Sequence, residues 1–282
     1  MKNINLNFLV GKDISFALNK ASELNSESLE GKIHAHKIYS ILLDQIPNNY
    51  ESYNENILRG VLRQKIWDCE RSFYWNEKYL SQAGQDKIIK DHFFKGKKDG
   101  FFVEIGAYDG LRGSNCFHFE KYLNWQGIAI EASLIQFEDL KKNRKCQVIN
   151  KALSSTEKEV EFVEVIEGLT QMSGINNEIF QKNNKNLISK DTKSKTKNKT
   201  IKTTTFDKVI PKGRKIDYLS IDIEGEELDL LKSINFDNYE INVISVENNI
   251  PKDQNFKIFF NDKNFEFFDR IGQDEIFYNR KF

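Results

Sequence analysis

Three short segments place acidic residues at the ends of apolar runs, two of them beside glycines, in ways that bear on chemistry. The first is Phe102-Val103-Glu104-Ile105-Gly106-Ala107-Tyr108-Asp109-Gly110. An apolar strand there delivers Glu104 and Gly106 to its carboxyl end, and the glycines allow a tight turn with close backbone approach. The helix that follows presents its N-terminus to an anionic group. The spacing is ExGxxxG rather than the GxGxxG of dinucleotide sites. An acid beside the first glycine suits a ligand that carries positive charge, as S-adenosylmethionine does in its ammonium and sulfonium. The second segment ends at Glu131, 27 residues beyond Glu104. An acid closing the second strand of a doubly wound sheet can accept from both ribose hydroxyls. The third is Asp222-Ile223-Glu224-Gly225-Glu226-Glu227, after the apolar run Tyr218-Leu219-Ser220-Ile221. Asp222 and Glu224, with Glu247 at the end of the next apolar run, put carboxylates on the rim where such sheets bind ligands. They suit a general base toward a hydroxyl, or a divalent cation held by Asp222 and Glu247. Glu226 and Glu227 are expected to complement a helix N-terminus.

The elements that must position these residues are visible as short apolar runs: Phe101–Ile105, Ile128–Glu131, Gln147–Asn150, Ile216–Asp222 and Ile241–Glu247. Helical patterns separate most of them, at Asn115–Tyr122, Leu134–Lys142 and Glu226–Ser233. This alternation implies a parallel sheet with helices on both faces. The tail, Phe265–Ile271 and Glu275–Asn279 about Gly272-Gln273-Asp274, reads as an antiparallel edge hairpin.

Two regions stand apart. Residues 1–75 read as helical, with one apolar series from Ile33 to Ile46 stopped by Pro47 and another from Tyr53 to Ile66. Ala35, Tyr39, Leu42 and Pro47 also suggest one tetratricopeptide-like hairpin, without a second copy. Residues 181–202 carry eight lysines and one aspartate and read as a solvated loop. Gly168–Gly174 is a candidate lid or acceptor loop.

Composition excludes several classes. Forty-two basic residues balance 42 acidic ones, so no globally cationic nucleic-acid binder is expected. The three cysteines, 69, 116 and 146, have no metal or disulfide spacing and fit a reducing compartment. No apolar run approaches the roughly 20 residues of a membrane span. The first 20 residues lack a secretory apolar region. The expectation is a soluble, cytoplasmic protein. The 22 phenylalanines argue for an aromatic core.

Taken in order, Ser81-Gln82-Ala83-Gly84-Gln85-Asp86, the 101–110 stretch, Ser114-Asn115, Trp125–Glu131, Asn150–Ser154 and Tyr218–Glu227 resemble the FkbM-type methyltransferases. The resemblance spans about residues 80–282. It implies an α/β fold of the class I methyltransferase, Rossmann-like kind: a mostly parallel seven-stranded sheet, here with an N-terminal helical extension. The division is then a helical region over 1–75 and a methyltransferase domain over 76–282. The resemblance implies S-adenosylmethionine as cofactor and methyl transfer to an oxygen of a sugar or secondary-metabolite acceptor. It carries cofactor contacts onto Gln85, Asp86, Glu104, Gly106, Ala107, Gly110, Asn115, Glu131, Ala152, Leu153 and Asp222. Many relatives have Asp where this chain has Glu104. Two other readings compete: a catalytically degenerate module that recruits a protein partner through residues 1–75, and a nicotinamide-dependent oxidoreductase, which the missing GxGxxG disfavours.

Overall fold

The computed structural model describes residues 12–25, 28–73, 78–252 and 255–282. The expected domain boundary at 75/76 and the first 11 residues lie outside them.

Among the described residues two sheets form, from eleven strands in chain order: β1 Phe101–Ile105, β2 Gln126–Glu131, β3 Gln147–Asn150, β4 Ala152–Leu153, β5 Glu159–Glu167, β6 Gly174–Ile175, β7 Lys195–Thr204, β8 Lys215–Ile221, β9 Glu240–Glu247, β10 Phe265–Ile271 and β11 Asp274–Asn279. The main sheet has the order β10-β11-β9-β8-β1-β2-β3. Strands β9, β8, β1, β2 and β3 pair in parallel, whereas β11 is antiparallel to both β9 and β10. The sheet is thus mixed rather than the mostly parallel one expected, because the tail hairpin inserts β11 between β10 and β9.

Along β1, Phe102 and Val103 are both fully buried, in different clusters. Successive side chains on a strand point to opposite faces. Phe102 therefore joins Tyr218, Phe119 and Trp125 on one side, and Val103 joins Leu219, Ile244 and Phe260 on the other. Both faces of the central strands are covered, which is why these strands read as continuous apolar runs. The aromatic core expected from the phenylalanine count is present: Phe94 meets Trp125 at 4.9 Å and Phe260 meets Phe277 at 4.5 Å between ring centroids.

Helices α1 Lys12–Leu24, α2 Leu29–Gln45 and α3 Tyr53–Glu70 pack in sequence, α1 on α2 and α2 on α3. Ser28 and Ser52 cap α2 and α3 by accepting from the amides of Gly31 and Glu55. The far side of α3 lies on β10. Buried Arg59 grips Asp269 with two nitrogens, at 2.8 and 3.0 Å, and Arg63 joins the same carboxylate at 2.7 Å. Asn56 and Tyr50 donate to Glu275. Gly60 has to be a glycine: a Cβ there would lie 2.4 Å from the Gly272 carbonyl oxygen.

Residues 181–202 are not a loop. A π-helical turn Gln181–Lys185 and a helix Asn186–Lys190 lead into β7, which pairs antiparallel with β5 along its length. The lysines remain largely exposed, but β5 faces them with glutamates: Lys195 meets Glu167, and Lys199 meets Glu164. Cross-strand opposite charges favour this pairing where an apolar pattern is absent. The second sheet has the order β4-β7-β5-β6.

Candidate functional site

At the carboxyl ends of β1, β2 and β8 lies a cavity of about 310 Å³. Of the residues singled out from the sequence, Glu104, Gly106, Ala107, Asn115, Glu131, Ala152, Leu153, Asp222 and Glu224 line it. Glu104 and Glu131 thus open onto one shared space. Gln85, Asp86, Gly110 and Glu247 do not line it.

Three of the four outliers, Asp86, Gln85 and Gly110, have structural reasons for their positions. Asp86 is fully buried and accepts from the Leu80 amide and the Ser81 hydroxyl, closing the turn before α4 Gln85–Phe93. Burial pushes its carboxyl up to about 6 against those hydrogen bonds. The Gln85 side chain accepts from the Ala83 amide in the same turn, so Gln82 is the member of this segment that reaches the cavity. Gly110 has φ 79°, and a Cβ on it would sit 2.7 Å from Arg144 and Leu140. Its glycine serves packing rather than a ligand. The same holds at Gly106, with φ 83°, where a Cβ would fall 1.6 Å from the Asp222 carbonyl oxygen. The close approach there is made by the loop after β8, and Gly106 lets the ends of β1 and β8 meet.

Glu104, read from the sequence as suited to a cationic ligand group, is engaged by the protein itself. One oxygen accepts from the Ser114 hydroxyl and from the amides of Asn115 and Cys116, just ahead of α5 Phe117–Leu123. The other accepts from Arg144 at 2.7 Å. Arg144 follows α6 Leu134–Asn143, and no side-chain spacing in the sequence links it to Glu104. Glu104 therefore sets the loop that carries Asn115. The Asn115 amide nitrogen donates to Ser220 and Asp274, while its Oδ1 is buried without a partner.

Glu131 accepts from the backbone amides of Tyr108 at 2.9 Å and Ser133 at 2.7 Å, one on each oxygen. Burial dominates over these bonds and pushes its carboxyl up to about 7. Each oxygen keeps a lone pair for a further donor.

Across the cavity stand the half-buried Asp222 and Glu224. Glu224 takes the left-handed backbone region, φ 61°, unusual without glycine. Asn184 donates to it at 2.5 Å, yet burial holds its carboxyl at about 7. Asp222 is raised well above the usual carboxylate range, by burial first and then by Glu224, Asp274 and Glu227. Glu247 is raised likewise, by burial and then Asp222, and the two carboxyls share a hydrogen bond. Carboxylate oxygens of Asp222, Glu227 and Glu247 lie within 4.8 Å of one another, so this trio has the spacing to hold a metal ion. Glu227 accepts from the amides of Ile223 and Gly225, as expected of a residue opening the helix Glu227–Ser233. Glu226 instead accepts from Ser154 and Asn177.

The remaining walls include residues not singled out: Tyr108, Arg112, Gln136, Lys151 and Phe162. The 168–174 segment, a lid or acceptor loop by its sequence, contributes Thr170, Gln171, Ser173 and Gly174. Thr170 meets the Tyr108 hydroxyl at 2.6 Å, joining the second sheet to the glycine loop. Asp274, from the tail hairpin, completes the carboxylate group, and burial holds it at about 6. Among the described residues, no helix is long and apolar enough to cross a membrane.

No curated protein matches the chain. Among solved structures, a methyltransferase FkbM from Methylobacillus flagellatus KT aligns at 12% identity with a TM-score of 0.44, over 85% of this chain and 57% of that one. The family model for the methyltransferase FkbM domain matches residues 104–272, from the first acid of the cavity to the turn of the tail hairpin. That is well over half of the chain, and the protein belongs to the FkbM methyltransferase family.

Proposed function

We propose that this protein transfers a methyl group from S-adenosylmethionine to a hydroxyl oxygen of a sugar or secondary-metabolite acceptor. The observation that carries the reading is the single cavity joining Glu131 to the carboxylates Asp222 and Glu224. One end offers a ribose a carboxylate with lone pairs to spare. The other is a set of acids whose raised protonation equilibria signal a shortage of positive charge. A ligand with an ammonium and a sulfonium supplies that charge. The orphaned Asn115 Oδ1 is an acceptor suited to the ammonium.

In this reading Ala152 and Leu153 face the adenine edge, and Gly106 and Ala107 shape the floor. Bound there, the sulfonium supplies an electrophilic methyl group. The chain supplies orientation and exclusion of water. Asp222 takes the proton of the acceptor hydroxyl on its carboxylate. A carboxyl raised that far keeps its proton in the empty site, and the bound cationic ligand favours the ionised form that acts as base. Glu224 and Glu247 lie beside it. A divalent cation, if bound, would be held by Asp222, Glu227 and Glu247 and would acidify the hydroxyl. Asp222 acting as base needs none.

The test is Asp222→Asn. Turnover should fall at least about 100-fold, the usual scale of a lost general base, well beyond the weakening of S-adenosylmethionine affinity that calorimetry reads for the lost charge. Loss of cofactor binding would make Asp222 a pocket residue and remove it as base. The same reading keeps residues 1–75 as a helical region attached to a methyltransferase domain over 76–282, in the cytoplasm.

A further inference from the structure

Beyond the main cavity, an open groove of about 330 Å³ is lined by Ile179, Leu228 and Ile250, with Glu178, Lys182 and Asp229 around them. The three apolar side chains are half-buried and so present free apolar surface. A water-sized space separates this groove from the cavity. Ile179, Gly225 and Ile250 line both the groove and that space. Glu224 lines both that space and the cavity. Groove, space and cavity therefore stand in series, and Glu224 is the wall between the last two.

That wall is latched by the Asn184–Glu224 hydrogen bond. Asn184 sits on the π-helical turn Gln181–Lys185, a rare conformation that is frequent at functional sites. Its neighbour Asn183 lines the same small space, and its Nδ2 is buried there without an acceptor. A hydroxyl oxygen in the space would satisfy that donor. On the cavity side, the group one step away is the carboxylate pair Asp222 and Glu224.

We propose that this groove is the acceptor subsite of the transfer described above, and that it takes a molecule with an apolar body ending in a hydroxyl. The body covers Ile179, Leu228 and Ile250. The hydroxyl enters the water-sized space beside Asn183 and reaches Asp222 when Glu224 swings off Asn184 and opens the wall. A free sugar would leave the three apolar side chains uncovered. The inference rests on the methyl-transfer reading and narrows its acceptor class.

Protein saturated with S-adenosylhomocysteine is titrated calorimetrically with methyl and hexyl β-D-glucoside. Each buried methylene is worth about fourfold in affinity, so the hexyl compound should bind at least about tenfold tighter. Leu228→Glu should abolish that preference while leaving the S-adenosylhomocysteine affinity unchanged. Should Leu228→Glu fail a circular-dichroism check of folding, Ile250→Ser serves in its place. Equal or undetectable binding of the two glucosides overturns the subsite, as does a preference that survives the substitution. Failure of S-adenosylhomocysteine itself to bind is measured first and overturns the cofactor reading with it.

Discussion

The Arg144 guanidinium donates to Glu104 at 2.7 Å and to Glu120 at 2.6 Å, with its side chain wholly buried. The first acid of the glycine motif is thus neutralised from behind, by a residue 40 positions later in the chain.

Arg144→Ala would leave two buried or half-buried carboxylates without their cation. Removing one partner of a buried pair costs about 3–5 kcal/mol. Urea denaturation should show a loss of that size. Arg144→Lys should recover only part of it, because an ammonium cannot span both acids as the guanidinium does.

Gly106→Ala and Gly96→Ala make a matched pair. Both glycines have positive φ, 83° and 77°, so both substitutions carry the backbone cost, which exceeds about 1 kcal/mol. At Gly96 an added Cβ meets nothing within 4 Å. At Gly106 it meets the Asp222 carbonyl at 1.6 Å. Thermal melts should show the Gly106 variant clearly less stable than the Gly96 variant, and only the former should lose S-adenosylmethionine binding.

Stability of the ligand-free protein should fall as pH rises. Glu131 is held at about 7, above its unfolded value near 4.3. A group raised on folding contributes stability that is complete below the unfolded value and lost as pH passes the folded one. Melting temperatures should therefore decline between about pH 4.5 and 7. Glu131→Gln should lessen that decline, leaving the part due to the other raised carboxyls, Asp222, Glu224 and Glu247 together with Asp86 and Asp274. A slope unchanged by the substitution would remove Glu131 as its source.

Arg59→Ala breaks the bidentate grip on Asp269, itself buried on β10. The expected loss stays below the roughly 3–5 kcal/mol of a fully orphaned buried charge, because Arg63 still holds the carboxylate. It should appear in the single unfolding transition of the whole chain, because α3 and β10 share this contact. A separate early transition would show that the helices melt on their own.

The main sheet was legible because its central strands are covered on both faces. Val103, Leu219 and Ile244 face one side and Phe102, Tyr218 and Val243 the other, leaving unbroken apolar runs. Strand β7 was not legible. Lys195–Thr204 has no apolar face, and what makes it a strand is the glutamate series of β5 some 35 positions away. Several acids and glycines singled out in the sequence line the cavity, but the physics at two of them is internal. Glu104 answers to Arg144, and Gly106 to the Asp222 carbonyl. Such partners come from distant segments, where one-dimensional spacing carries no signal. Gln85 and Asp86 illustrate the converse: acceptors placed well in sequence, yet spent on their own turn.

The hydroxyl pair Tyr108–Thr170 has an effect that reaches past its own two atoms. Floor and roof of the cavity come from different sheets with no strand in common. Whatever occupies the gap becomes mortar between two leaves, so loading the pocket should rigidify the pair together, and emptying it should let them breathe about this pin and its few companions, Ser133–Glu164 and Asn184–Glu224 among them.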